Sequence, residues 1–226
     1  MLRIFFILVL LCTSVCAQTP DERLSIGVIR TKEVCDDCGS TYFYGGTCYF
    51  IEPSYIVTCA HVIQPEFSGS CTFEVSTDLG VFNAYLIYAN AYTDVAVLHG
   101  DIPQGVLKLK LADIGPKPGD FARILTNGGM IDFQCDEHVR DTIVKDVYSQ
   151  CIRLDTWVQS GDSGCPILNS DGDVIGMNSN GEHPEVEKVA FWFDNSPAIA
   201  FKYGKATDLE NLKLGVFESQ KLIDGR

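Results

Sequence analysis

"SGDSGCPI", residues 160–167, sets a serine between two glycines with an aspartate just before it. Gly, Asp and Ser are the commonest turn formers, so the stretch alone reads as an ordinary β-turn. It reads equally as a tight turn presenting Ser163 as a nucleophile, and a serine hydroxyl attacks only when a neighbouring base takes its proton. Position 165 is Cys rather than Gly, so the G-x-S-x-G elbow of strand–turn–helix hydrolases does not fit. That architecture also places its histidine last, whereas no histidine follows His183 and the strand–helix alternation is missing.

Outward from the turn, most segments read as short strands. "STYFYGGTCYFI", "SYIVTCA", "CTFEVS", "VFNAYLIYA" and "DVAVLHG" in the first half are rich in β-branched and aromatic residues. "DFARILT", "CIRLDTW", "PILNS", "DVIGMNS" and "KVAFWF" continue the pattern in the second. Helical periodicity arises only in "ATDLENLKLG", where Thr207 and Glu210 suggest a capping box and Gly215 a stop. Between the halves, "KLADIGPKPGD" concentrates Pro and Gly and reads as a linker. The expectation is an all-β protein of two antiparallel units, residues 18–110 and 111–226, with a C-terminal helix near 207–214.

The 226 residues are 46% hydrophobic and 21% charged, a normal balance for a globular protein. A formal net charge of −13 argues against nucleic acid or anionic membrane as partner, since both demand a basic face. "MLRIFFILVLLCTSVCAQTP" has one basic residue, a short apolar run and a small-residue close, the pattern of a secretory signal ending at Ala17. The run is well short of the ~20 residues a spanning helix needs, so no membrane anchor is expected after cleavage. The reading is a secreted protein.

Of ten cysteines, eight follow the signal, which suggests disulfides. "TCYFIEPSYIVTC" looks like a hairpin whose symmetry centre puts Cys48 opposite Cys59, a plausible cross-strand bridge. The rival reading is a zinc site from Cys35, Cys38, Cys48 and Cys59, although only the first pair has zinc-ribbon spacing. No metal or other cofactor is expected.

His61 ends the apolar stretch "YIVTCAHVI", and Asp94 opens "TDVAVLHG". Alone, the first is a packed histidine and the second a strand cap. Their order changes that, because His, Asp, Ser is one of the chain orders of the serine nucleophile triad. Imidazole has the right pKa range for a base, and a carboxylate behind it fixes the tautomer. Glycines flanking Ser163 allow the backbone N–H groups of Gly161 and Ser163 to converge on an oxyanion.

"VTCAHVI", "DVAVL" and "GDSGCP" together resemble the three signature segments of chymotrypsin-fold, trypsin-like serine proteases, over roughly residues 41–205. "GGTCYFIEPSYIVTCAHVI" and "PILNSDGDVIGMNSN" are more similar to the compact Deg/HtrA-type branch than to digestive trypsins. The resemblance implies two six-stranded antiparallel β-barrels with the active site in the cleft between them. It implies an endopeptidase in which His61 is the base, Asp94 its orienter and Ser163 the nucleophile. Gly161 and Ser163 form the oxyanion hole, Ser179 bonds the aspartate, and the Asn180–Gly181 backbone pairs with a polypeptide substrate. Protein protease inhibitors are further expected partners.

Departures from the pattern leave a non-catalytic binding or decoy homologue open. Cys165 replaces a glycine and would be strained if its φ were positive. Trp157, six before the nucleophile, either covers the specificity pocket or packs in the barrel. No activation terminus is evident, because cleavage after Arg23 would free Leu24-Ser25-Ile26-Gly27, a poor match. Asp162 must then find another partner or stay solvated, since a lone buried carboxylate is costly.

Overall fold

The computed structural model describes residues 22–64, 69–126, 139–148, 151–156, 158–159, 161–184, 190–191, 197–198 and 200–225. Residues 1–17, where a leader is expected, and Trp157 fall outside them. After a 3-10 turn at Glu22–Ser25 come β1 (Ile26–Cys35), β2 (Thr41–Ile51), β3 (Tyr55–Cys59), the single turn α1 (Ala60–Ile63), β4 (Gly69–Thr77), β5 (Gly80–Asn90) and β6 (Val95–Gly100). The six strands pair antiparallel in the order β1-β2-β3-β6-β5-β4 and close into a barrel.

The second half holds β7 (Phe121–Leu125), β8 (Val139–Val147), β9 (Cys151–Leu154), β10 (Val158–Gln159), β11 (Pro166–Leu168) and β12 (Val174–Pro184). A small hairpin of β13 (Ala190–Phe191) and β14 (Pro197–Ala198) precedes β15 (Ala200–Asp208) and the helix α2 (Leu209–Asp224). The ring β15-β12-β11-β7-β8-β9 closes through the β9–β15 pairing, with β10 added on β15. Two six-stranded antiparallel barrels result, the fold class expected from the sequence.

Strand alternation explains the first barrel. Along β1, Ile29, Thr31 and Glu33 point inward and are fully buried, while Arg30 and Lys32 face solvent. β3 is buried on both faces, which is why "YIVTC" carries no charge. Its side chains join a core that also takes in Leu125, Leu168, Val174 and Met177 from the second half and Leu212 from α2.

The helix departs from expectation at both ends. Asp208, not Thr207, is the cap, and its side chain accepts the Asn211 N–H at 2.9 Å. Thr207 is still in β15 and donates its hydroxyl to the Thr93 carbonyl at 3.0 Å. Gly215 lies inside the helix because α2 passes close over the first barrel. A Cβ there would come within 2.8 Å of Val95 Cγ1. The true stop is Gly225, in the left-handed region at φ 71°. No helix among the described residues is long and apolar enough to cross a membrane.

The expected Cys48–Cys59 bridge is overturned by register. Tyr49 pairs with Val57 and Phe50 with Ile56, so one further step sets Cys48 across from Thr58. A slip of one residue sends the two cysteines to opposite faces. Both are buried and unbridged. Cys35 instead ends β1, and Cys38 lies on the turn that follows it. The exposed Cys38 thiol has its pKa lowered to about 7, chiefly by hydrogen bonds with Ser40 and then Cys35. Because thiolate is the nucleophile, Cys38 is expected to be alkylated first by iodoacetamide, with a rate that half-saturates near pH 7. Peptide mapping against a Cys38→Ser variant checks this.

Candidate active site

Asp94 is delivered by a turn built for it. Asn90, ending β5, accepts the N–H groups of Tyr92 and Thr93 on its side-chain oxygen at 2.9 and 3.3 Å. This Asx turn reverses the chain. Asp94 itself adopts φ 55°, a left-handed conformation that aspartate tolerates better than most residues. Its backbone carbonyl accepts the Ala60 N–H at 3.1 Å, tying the turn to α1.

His61 sits on α1, its side chain about half exposed. Its ring Nδ1 lies 2.8 and 3.0 Å from the two Asp94 oxygens, and its backbone N–H donates to Asp94 Oδ1 at 3.0 Å. A carboxylate can only accept, so Nδ1 carries the proton and Nε2 is left with a free lone pair. Ser179 donates its hydroxyl to Asp94 Oδ2 at 2.5 Å. Burial works against the Asp94 charge, yet the bonds from His61 and Ser179 outweigh it and hold the carboxyl below its ordinary range.

Ser179 reaches Asp94 because β12 bulges. Asn178 pairs with Ala206 and Asn180 with Lys205, which leaves Ser179 as an extra residue. A bulge re-aims side chains next to a site. Asn178 consequently stays buried and donates its side-chain N–H to the Asp162 carbonyl at 2.9 Å. Asn180 is exposed, and the backbone of Gly181 continues the strand opposite Gly204.

The turn that carries Ser163 is gripped by the first barrel. Thr47 on β2 donates its N–H to the Ser163 carbonyl at 2.8 Å and its hydroxyl to the Gly161 carbonyl at 2.9 Å. Gly161 and Gly164 both have positive φ, 97° and 88°. At Gly164 a Cβ would fall 1.9 Å from the Thr47 carbonyl, so only glycine fits. Cys165 is not among the positive-φ residues, and the strain expected there does not arise. Its side chain is fully buried in the second core.

Asp162 has found its partner. Its side chain is 1% exposed and accepts Arg140 Nη2 from β8 at 2.6 Å and the Gln159 N–H at 2.9 Å. Burial pushes its carboxyl above the ordinary range, opposed by the Arg140 guanidinium. A fixed side-chain cation thus stands where a freed N-terminus would otherwise be required. Beside Asp94 and Ser179 a cavity of about 310 Å³ opens, bordered by Tyr92, Thr93, Lys205 and Thr207.

The sequence profile of the trypsin-like peptidase domain matches residues 46–177, more than half of the chain. The chain belongs to the trypsin-like peptidase domain family. Within it, the chain is 34% identical over 134 residues to a probable periplasmic serine endoprotease, DegP-like, of Halomonas elongata, covering 57% of this chain and 27% of that one. It is 28% identical over 156 residues to the serine protease Do-like HtrA of Bacillus subtilis, covering 61% and 33%. The chain therefore spans about a third or less of these relatives.

Among solved structures, the serine endoprotease from Yersinia pestis superposes with a TM-score of 0.60 at 18% identity, over 88% of this chain and 64% of that one. The HtrA-type protease AlgW with decapeptide superposes at 0.61 and 18%, over 89% and 65%. At that identity the likeness concerns the fold, and it is the Deg/HtrA-like version of the trypsin-like fold.

Sequence reasoning missed Arg140, Thr47 and Asn178. Only Arg140 left a signal, because an Asp162 without an activation terminus asks for a cation elsewhere.

Proposed function

We propose that this protein is an exported serine endopeptidase in which His61, Asp94 and Ser163 act as the triad. The observation that carries the reading is the His61 Nδ1–Asp94 bond, clamped by Ser179. In this reading His61 Nε2 takes the Ser163 proton as Oγ attacks the scissile carbonyl. The N–H groups of Gly161 and Ser163 receive the developing oxyanion. His61 then passes the proton to the leaving amine, and water resolves the acyl-enzyme. An extended polypeptide adds as a strand along Asn180–Gly181. The decapeptide in the AlgW structure supports a peptide ligand, and the periplasmic relatives support export through the 1–17 leader.

One observation favours a second reading, a silent homologue that binds without cutting. The Ser163 hydroxyl lies 3.3 Å from the Ser179 carbonyl, and no hydrogen bond joins it to His61 among the described residues. Unliganded sites often hold such loose geometry and tighten with substrate. Labelling of the chain from Gln18 with a fluorophosphonate decides between the two. The expected result is stoichiometric labelling that Ser163→Ala abolishes. Absence of labelling in the folded protein from pH 6 to 9, before and after cleavage at Arg23, would favour the silent homologue over a zymogen.

A further inference from the structure

Cys59 has no part in the hydrolysis outlined above, yet its sulfur lies close to the His61–Asp94 pair. Cys59 Sγ, a His61 ring nitrogen and an Asp94 oxygen all fall within 4.8 Å of one another. Among the described residues no other three such side chains converge in this way. Thiolate, imidazole and carboxylate are the donors that Zn²⁺ takes tetrahedrally, with water in the fourth position. We propose that Cys59, His61 and Asp94 form an inhibitory site for a thiophilic divalent cation such as Zn²⁺. Its inhibitory character rests on the triad reading, whereas its existence as a metal site does not.

Distances favour closure. Bonds of 2.0–2.3 Å in a tetrahedron set donor atoms roughly 3.5 Å apart. The His61–Asp94 contact is already 2.8 Å, so this pair has to part slightly while the sulfur moves inward. Cys59 is fully buried whereas the His61 ring is half exposed, so an ion coming from solvent meets His61 first and reaches the sulfur only if the surrounding groups move. Slow onset follows from that movement.

Releasing the thiol proton strands nothing. Cys59 Sγ donates to the Asn178 carbonyl at 3.3 Å, and that same carbonyl accepts the Gly164 N–H at 2.8 Å. With the thiol deprotonated, the buried carbonyl keeps a donor. The balance is simple: the Cys59 proton goes to solvent, Asp94 is already an anion, and His61 exchanges its Nδ1 proton for one on Nε2. Two anionic ligands neutralise the ion, and no electron is transferred. An imidazole metallated at Nδ1 and protonated at Nε2 cannot accept the Ser163 proton, so metal occupancy and catalysis exclude each other. Hard cations such as Mg²⁺ and Ca²⁺ prefer all-oxygen sites and should not compete.

The test uses the chain from Gln18 with two readouts. In the first, Zn²⁺ is expected to slow fluorophosphonate labelling progressively after mixing, while Mg²⁺ does not. Cys59→Ala should label at the ordinary rate without metal and need about 100-fold more Zn²⁺ for the same inhibition, since losing even an outer-shell partner costs 10–100-fold. Cys59→Ser, which keeps the volume but not the soft donor, should behave alike and guards against a folding defect in either variant. In the second, Cd²⁺ is titrated into Ser163→Ala and its ultraviolet cadmium–thiolate charge-transfer band recorded. A component lost in both the Cys59→Ala and His61→Ala backgrounds is expected. Equal Zn²⁺ sensitivity of Cys59→Ala and the parent, or a band indifferent to His61, would overturn the site. If no serine labels at all, the triad reading fails, and the cadmium band still decides the metal site.

Discussion

Asp94→Asn is expected to lower kcat by about 10⁴-fold with little change in KM, measured on peptides chosen from a cleavage library. The carboxylate accepts from the His61 ring, the His61 N–H and Ser179 at once. An amide can donate as well as accept, and turning its NH₂ toward the ring stabilises the tautomer whose Nε2 already holds a proton. The loss therefore appears in the chemical step rather than in peptide binding. Stability shifts too, with a definite sign. Because the Asp94 pKa is depressed in the folded protein, its charge stabilises the fold above the unfolded value of about 3.9, and that contribution fades as pH falls through the depressed folded value. The charge-dependent part of the difference between parent and Asp94→Asn should accordingly vanish in acid, as denaturant titrations at several pH values will record.

Arg140→Ala is expected to cost about 3–5 kcal/mol of stability, because it strands a carboxylate that is already fully desolvated. The Arg140 side chain is 13% exposed and that of Asp162 1%, so little solvent screens the pair. Among the described residues Asp162 Oδ1 has no partner even with Arg140 in place, and without Arg140 only the neutral Gln159 N–H remains on Oδ2. The Asp162 pKa, already raised by burial, should climb further without the cation. A folded pKa above the unfolded one means that the native state binds more protons, so stability falls as pH rises through the gap. The deficit of Arg140→Ala should thus be largest near neutrality and shrink towards pH 4. Arg140→Ala/Asp162→Asn, which removes both charges, should recover much of the loss. Activity should follow, since Asp162 immediately precedes Ser163, the proposed nucleophile, and its carbonyl anchors Asn178 and the Cys165 N–H.

How much was legible varies with the range of the interaction concerned. His61, Asp94 and Ser163 were readable because each lies in a short motif whose order is informative, and the described structure joins the first two directly. Ser179 was readable only through resemblance. Its dependence on a bulge could not be seen, because alternation along "VIGMNSN" gives no hint which residue will be left unpaired. Gly215 was misread for a physical reason: in sequence, a glycine that ends a helix and one that lets a helix pass close to a barrel look the same. The Cys48–Cys59 pairing failed by a single residue of register, and in a period-two structure that is the largest possible error. Arg140 carries no motif, since its meaning comes wholly from a carboxylate on the distant turn between β10 and β11.

The passage of α2 across the first barrel bears on the order in which the protein can be completed. Leu212 belongs to the same core as Ile56, Val57 and Leu98, and Gly215 abuts Val95. Synthesis proceeds from the N-terminus, so the barrel made first has to wait for the residues made last. Until residues 209–224 emerge, the outer side of Val95–Gly100 stays open to water and to other chains. Thr47, meanwhile, has no partner turn to hold until Gly161 and Ser163 arrive. Neither half can reach its final form ahead of the other, so the turn that carries Ser163 and the His61–Asp94 pair are completed together or not at all.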